Sequence, residues 1–340
     1  MIESPTKVDQ FIRDNLKEHA SDIVGFVAAK FNFSRQRAYA YVAREVKKGN
    51  VIKIGKTSST KYFLVGGNYI EFNLKIKPGI SEEKAWQKYV RPMLLNVSDN
   101  VRGVCKYVFT EIFNNAIDHS AGSIVYTRIN ITDENIQFTV MDNGIGIFQK
   151  IQDALHLDYK REAILHLSKG KFTTDPSRHS GEGIFFSSRI CDRFSILSDD
   201  LFYTFRHRDW ILSNEKREDF GKGTEIEMIV PVNPQKTLKE TMDEYSDQEI
   251  GFGRTTVAVA LSADPNDPHV SRSQAKRLMM GLEKFRHIVL NFKGVESVGQ
   301  AFVDEVFRVF QNEYPNIQIQ YFNANEQVES MIKRGAATER

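Results

Sequence analysis

The chain of 340 residues has two cysteines, Cys105 and Cys191, and they form no CxxC pair. Both fall inside predicted helices and read as packing residues in a reducing compartment. Eight histidines show no metal-ligand spacing, so no structural metal is expected. No run of about 18 apolar residues exists, and no charged-then-apolar leader opens the chain. The expectation is a cytoplasmic protein with no membrane partner. Charge of one sign is also lacking, since the net charge is +2, with 41% hydrophobic and 26% charged residues. That balance is ordinary for a globular protein, and the length leaves room for two or three domains. The distribution is less even. Residues 1–68 carry 12 Lys/Arg against 6 Asp/Glu, which concentrates basic charge where a polyanion could dock.

Two stretches organise the rest. VRGVCKYVFTEIFNNAIDHS, 101–120, reads as a helix seated on a sheet by Val104, Val108 and Ile112. Glu111, Asn115 and Asp118 fall at i, i+4 and i+7 and project from one face. A carboxylate, a carboxamide and a second carboxylate there can hold Mg²⁺ and position a water, with Asn115 the candidate metal ligand. The second stretch, MDNGIGI, ends an apolar run. Asp142 can accept a hydrogen bond from an exocyclic amine such as that of adenine, and Gly144 and Gly146 let the backbone approach a flat ligand. Further on, SGEGIFFSSRIC places Ser180, Gly181 and Gly183 at a helix start, where free N–H groups suit phosphates. GKGTEIEMIVP puts Thr224 at the start of a strand.

In this order the four pieces resemble the N, G1, G2 and terminal glycine boxes of the GHKL ATP-binding family. That family includes gyrase B subunits, histidine kinases, mismatch-repair ATPases and anti-sigma-factor serine kinases. The resemblance covers about residues 76–232 and implies a two-layer α/β Bergerat sandwich with ATP and Mg²⁺ as cofactors. It also implies roles: Glu111 polarises the attacking water or hydroxyl, Asn115 ligates Mg²⁺, and Asp142 reads adenine. Between the glycine boxes, 148–180 is expected to be a lid. Lys169, Lys171 and Arg178 are its candidate γ-phosphate contacts.

Residues 1–68 read as three helices and a hairpin and resemble a winged helix-turn-helix. Ser34 is the expected N-cap of the third helix and Gly49 its C-terminal glycine. In that arrangement Arg35, Gln36 and Arg37 could reach base edges of double-stranded DNA. Tyr39, Arg44 and Lys48 could reach phosphates, with Lys56 and Lys61 on the wing. Residues 66–84 read as a turn, a short strand and a second turn that serve as a connection, and 232–253 as a polar, charged linker.

From 253 to 335, strands alternate with helices, which makes a small α/β domain. The segment IVLNFKGVESVGQAFVDEVF resembles the strand–loop–helix centre of STAS domains of anti-sigma-factor antagonists, which implies a protein partner. Where those antagonists carry an aspartate and a phosphorylatable serine, this chain has Gly299 and Gln300. The nearest hydroxyl, Ser297, reads as an N-cap.

The fold class expected is therefore α/β and multi-domain: a winged helix (1–68), a GHKL domain (76–232) and a STAS-like domain (253–335). Three functions fit. The first is a DNA-binding, ATP-hydrolysing regulator switched by Mg-ATP. The second is an anti-sigma-type protein serine kinase, and the third a nucleotide-dimerised ATPase clamp, which would be a homodimer. Gln300 weakens the kinase, no transducer segment is recognisable for the clamp, and the basic N-terminus favours the regulator.

Overall fold

The computed structural model describes residues 5–173, 180–206, 209–214, 221–247, 251–262 and 269–337. The chain divides into two compact units. One holds residues 1–144, 192–194 and 225–234; the other holds 145–191, 195–224 and 235–340.

The first unit begins with α1 (Pro5–Asn15), α2 (Ile23–Phe31), α3 (Arg35–Lys47) and the antiparallel hairpin of β1 (Val51–Ile54) and β2 (Lys61–Leu64). Asn32, in the left-handed region at φ 51°, ends α2, and the Ser34 hydroxyl accepts from Arg37 N to start α3. Val8, Ile12, Ile23, Val27, Ala38, Val42, Val51 and Tyr62 close one shared core. Burial of such side chains, about 1.5–3 kcal/mol each, is what holds helices this short.

β3 (Tyr69–Lys75) is the short strand expected within 66–84, yet it is part of the sheet and not merely a connection, since it pairs along its whole length with β4 (Ile124–Ile131). Its alternation explains why, since Ile70 and Phe72 are buried while their neighbours are not. After the short α4 (Glu82–Ala85), α5 (Asp99–His119) opens at Ser98, whose hydroxyl accepts from Val101 N. Eight buried side chains, from Val101 to Ala116, make its apolar stripe. β4 (Ile124–Ile131) and β5 (Asn135–Asp142) form the next antiparallel pair, in register Val125↔Asp142.

The second unit carries α6 (Ile147–Leu155), α7 (Glu162–Lys169), α8 (Gly183–Ile190), and most of β6 (Arg193–Ser198), β7 (Leu201–Arg206) and β8 (Asp209–Asn214). The last of these is a strand that sequence periodicity did not suggest. In the first unit, residues 225–231 of β9 (Thr224–Pro231) lie next to β5, so that β3-β4-β5-β9 is the strand order there.

The stretch expected to be a polar linker is structured instead. α9 (Leu238–Glu244) starts with a capping box of Thr237 and Glu240, and β10 (Ser246–Asp247) pairs with β11 (Gly251–Phe252). Tyr245 and Phe252 bury their rings against Phe185, at 5.1 and 4.6 Å between centroids.

The C-terminal part is a parallel sheet of β12 (Arg254–Ala258), β14 and β16 in the order β12-β14-β16. β13 (His269–Val270) leads into α10 (Arg272–Met279), capped by Ser271 with Gln274, and then β14 (His287–Asn291). β15 (Ser297–Val298) pairs with β13. α11 (Gln300–Asp304) continues through a wider turn into α12 (Phe310–Glu313), followed by β16 (Gln318–Phe322) and α13 (Glu326–Ala337). The N-cap of α11 is Gly299, so Ser297 is a strand residue and not the cap expected of it. Strands β12, β14 and β16 are parallel because each connection carries a helix.

Candidate functional site

In the first unit, the polar trio of α5 flanks the buried stripe. Glu111, Asn115 and Asp118 are all half-buried, on the side where the helix leaves its apolar face. At the C-terminal end of α5, Ser120 donates to Ala116 O (2.6 Å) and accepts from Gly122 N (2.9 Å). The loop after β5 is tied to the same region. Asn143 Oδ1 accepts from Ser123 N and Ile124 N, at 2.8 and 3.0 Å. Sequence reasoning passed over Asn143 and Ser120, although an Asx residue in a DNG turn is the usual signal of such a clamp.

Gly144 is required by close approach. A Cβ there would stand 2.0 Å from the carbonyl oxygen of Ser120, so any side chain would push the loop off the helix end. Asp142 is 6% exposed, and its Oδ1 accepts from Gly144 N at 2.8 Å. The carboxylate is thereby fixed by its own loop.

In the second unit, Gly146 stands at the N-terminal boundary of α6, where Thr224 Oγ1 accepts from Ile147 N at 2.9 Å. Gly181 has φ +74°, and its Cβ would meet the Phe172 carbonyl oxygen at 2.4 Å. Gly183 opens α8 with no side-chain cap on its first turn, which leaves backbone N–H groups for an anion. Ser180 is exposed just before it.

The lid lysines are a different matter. Lys171 was expected on a γ-phosphate, but its Nζ donates to Lys284 O at 3.0 Å and lies over the Phe285 ring at 4.9 Å. Burial lowers its pKa. Lys169 is 2% exposed, and its Nζ donates to Arg277 O and Met280 O, both at 2.9 Å. These are carbonyls at the C-terminal end of α10, where a cation is favoured. Burial pushes the Lys169 pKa down to about 7. His166, one turn earlier, is driven down to about 3 by burial and by Lys169, and its Nε2 has no partner among the described residues. Arg178 lies outside the described residues.

At the N-terminal surface, Arg35, Gln36 and Arg37 are exposed at the start of α3, with the Arg37 guanidinium 4.1 Å over the Phe33 ring. Lys56 is exposed as well. Arg44 and Lys48, expected on phosphates, are instead joined to carboxylates. Both bind Asp9, and Lys48 also reaches Glu45 at 3.0 Å. Burial alone would raise the Asp9 pKa, but the hydrogen bonds from Lys48 and Arg44 outweigh it and hold the carboxyl below its ordinary value. Lys61 is ion-paired with Glu71, which also accepts from Tyr69 and Tyr126 at 2.9 and 2.7 Å.

The fold is α/β, with a half-buried Glu, Asn and Asp on one helix and an Asp-Asn-Gly turn at a strand end. Comparisons with known proteins narrow that class. Residues 98–234 match the family described as histidine kinase-, DNA gyrase B-, and HSP90-like ATPase, and residues 274–329 match a STAS-like domain of unknown function (DUF4325). The chain is similar to the anti-sigma F factor of Bacillus cereus (strain G9842), 32% identical over 114 residues, which covers 32% of this chain and 68% of that protein. The anti-sigma F factors of Bacillus thuringiensis (strain Al Hakam) and Bacillus mycoides (strain KBAB4) are 31% identical over 114 residues, with the same coverage. The chain belongs to the histidine kinase-, DNA gyrase B- and HSP90-like ATPase family, and is an ATP-binding protein on that account. Among the described residues, no helix is long and apolar enough to cross a membrane.

Proposed function

We propose that this chain is an ATP-operated regulator. Its N-terminal three helices and hairpin would act as a winged helix on double-stranded DNA, and its STAS-like part would take a protein partner. The observation that carries the switch is Lys169. The helix that bears it lies between the two glycine boxes, in the stretch that acts as a lid in this reading, and bonds to the end of α10. Rearranging that stretch on nucleotide binding would therefore move or release the STAS-like part. ATP can bias such an equilibrium only if it binds the two arrangements unequally, and the coupling is then reciprocal.

In this reading Asn115 would hold Mg²⁺. The donors on the flank of α5 are all oxygen and few, which suits an ion that keeps waters and takes phosphate oxygens. Glu111 would accept a proton from the attacking oxygen, and Asp142 would accept from the adenine amine. Asn115→Ala and Asp142→Asn should each abolish measurable Mg-ATP binding in calorimetry. Glu111→Gln should bind ATP and fail to release phosphate, because a general base acts on the attacking oxygen and hardly on the bound ground state. Parent-like binding in both of the first two would remove the site assignment.

For DNA, the exposed Arg35, Gln36 and Arg37 support contact through the start of α3. The double variant Arg35→Glu/Arg37→Glu should lose retention of duplex DNA, and the parent's retention should fall steeply with salt. A non-hydrolysable ATP analogue should change DNA affinity several-fold, about 1–2 kcal/mol, in the parent and not in Asn115→Ala.

A second reading, protein serine kinase, is favoured by the similarity to anti-sigma F factors. Labelled ATP separates the two. Free phosphate alone supports the regulator, whereas label on protein would replace it with the kinase.

A further inference from the structure

A cleft of about 240 Å³ opens in the second unit between β7, β8 and α8 on one side and the parallel sheet β12-β14-β16 on the other. It lies among residues for which neither nucleotide binding nor DNA contact has a use. Two guanidiniums border it. Arg189, on α8, lies between the rings of Phe185 and Phe205, 4.4 and 4.0 Å from their centroids, and donates to Ser188 Oγ at 2.9 Å. Arg254 begins β12 and is exposed. Among the described residues neither forms an ion pair, in contrast to Arg44, Lys48 and Lys61. Glu244 also borders the cleft, but Lys236 holds it at 2.6 Å.

Aromatic side chains share the lining with these charges. Tyr203, Trp210 and Phe322 all line the cleft. Tyr203 is 5% exposed, and its hydroxyl has no hydrogen-bond partner among the described residues. That hydroxyl opens to the cleft and is free to bond a group there. Asn291, at the end of β14, adds a side-chain amide whose Oδ1 already accepts from Lys293 N at 3.0 Å. Its NH₂ is a donor.

We propose that this cleft binds a small planar organic anion, with one aromatic ring and one carboxylate. Two arginines without a carboxylate partner among the described residues select a carboxylate, and a ring fills the space between aromatic side chains. The volume sets the size. It equals that of roughly eight waters and falls below the range that takes drug-sized ligands. The site joins α8, which opens at Gly183, to the parallel sheet, and Ser168, next to Lys169, stands on its border. A ligand here would bridge elements that otherwise meet only through side chains.

The chain supplies its own reporter. Of its two tryptophans, Trp86 is 2% exposed in the first unit, whereas Trp210 borders the cleft. The full chain should be titrated with benzoate while fluorescence is excited on the red edge of tryptophan absorption. Acetate, inorganic phosphate and cyclohexanecarboxylate are the comparison probes. The expected result is a saturable change with benzoate, absent in Trp210→Phe, and weaker by about tenfold in Arg254→Gln and in Arg189→Gln. Tyr203→Phe should weaken it less. Arg254 is exposed at a sheet edge, so its variant should fold even if that of Arg189 does not, and Arg91→Gln serves as the distant control. No saturable change, or one unaffected by Arg254→Gln, would overturn the site. Equal response to acetate or phosphate would overturn the planar class, and equal response to cyclohexanecarboxylate would do the same.

Discussion

In the N-terminal helices, Arg44 and Lys48 meet carboxylates. Asp9 and Glu45 are nearly or fully buried, while the cations keep 38% and 46% of their side chains in solvent. In the other unit Lys169 is sealed, and its charge rests on two backbone carbonyls. The first arrangement keeps the cation wet and the acid dry, so salt screens it and its worth is small. The second buries the ammonium outright, and its pKa falls to about 7. A lysine count in a sequence cannot separate these, because the partners of Lys169 lie more than a hundred residues away.

The largest expected effect belongs to Lys169→Met. It keeps the apolar stem but leaves two carbonyls unpaired, which should cost about 3 kcal/mol in denaturant unfolding at high pH, where the parent amine is neutral in both states. The pH dependence sharpens this. The folded pKa of Lys169 lies below its ordinary 10.5, so the unfolded chain binds more protons between pH 7 and 10.5. Stability from this group rises with pH across that window and is lost as pH falls through it. The methionine variant should lack that slope, and an unchanged slope would show that the ammonium is not buried as described.

His166→Leu comes next. The folded pKa of about 3 lies below the ordinary 6.5, so the parent loses stability as pH falls from 6.5 toward 3. The variant should escape roughly 2 kcal/mol of that loss at pH 4, read from melting temperatures at pH 7 and pH 4. An equal acid loss in both would assign it to other groups.

The smallest effect should come from Lys48→Met. It should destabilise slightly at low salt and converge with the parent at high salt, because Lys48 is solvated and Arg44 still serves Asp9. A large loss that salt leaves unchanged would erase the contrast with Lys169.

The helix of Glu111 was legible because its 3.6-residue stripe is long and its polar trio is regular. The Asp142 turn was legible only through its place after that helix and before the other glycine pieces, because DNG by itself is a common hairpin turn. β3 was legible as a short strand between two turns, but its flanking glycine and proline made it read as a connection, although Ile70 and Phe72 alternate as an edge strand should. Ser297 misled because a hydroxyl near a helix start resembles a cap, while the backbone places Gly299 there. Arg44 and Lys61 were read as free because their carboxylates, Asp9 and Glu71, belong to other elements.

Glu71 has a practical corollary for anyone cutting the gene. Its carboxylate holds Lys61 of the hairpin together with Tyr69 and Tyr126 of the adjoining sheet. A fragment ending at residue 68 would strip Lys61 of its counter-charge and leave the hairpin without the neighbour that orients it. A fragment starting at residue 76 would remove the edge strand β3 and expose the backbone of β4 along a paired length of seven residues. Such an open edge invites self-association. Excision should therefore keep Tyr69–Lys75 with the sheet and accept that no clean seam separates it from the helices before it.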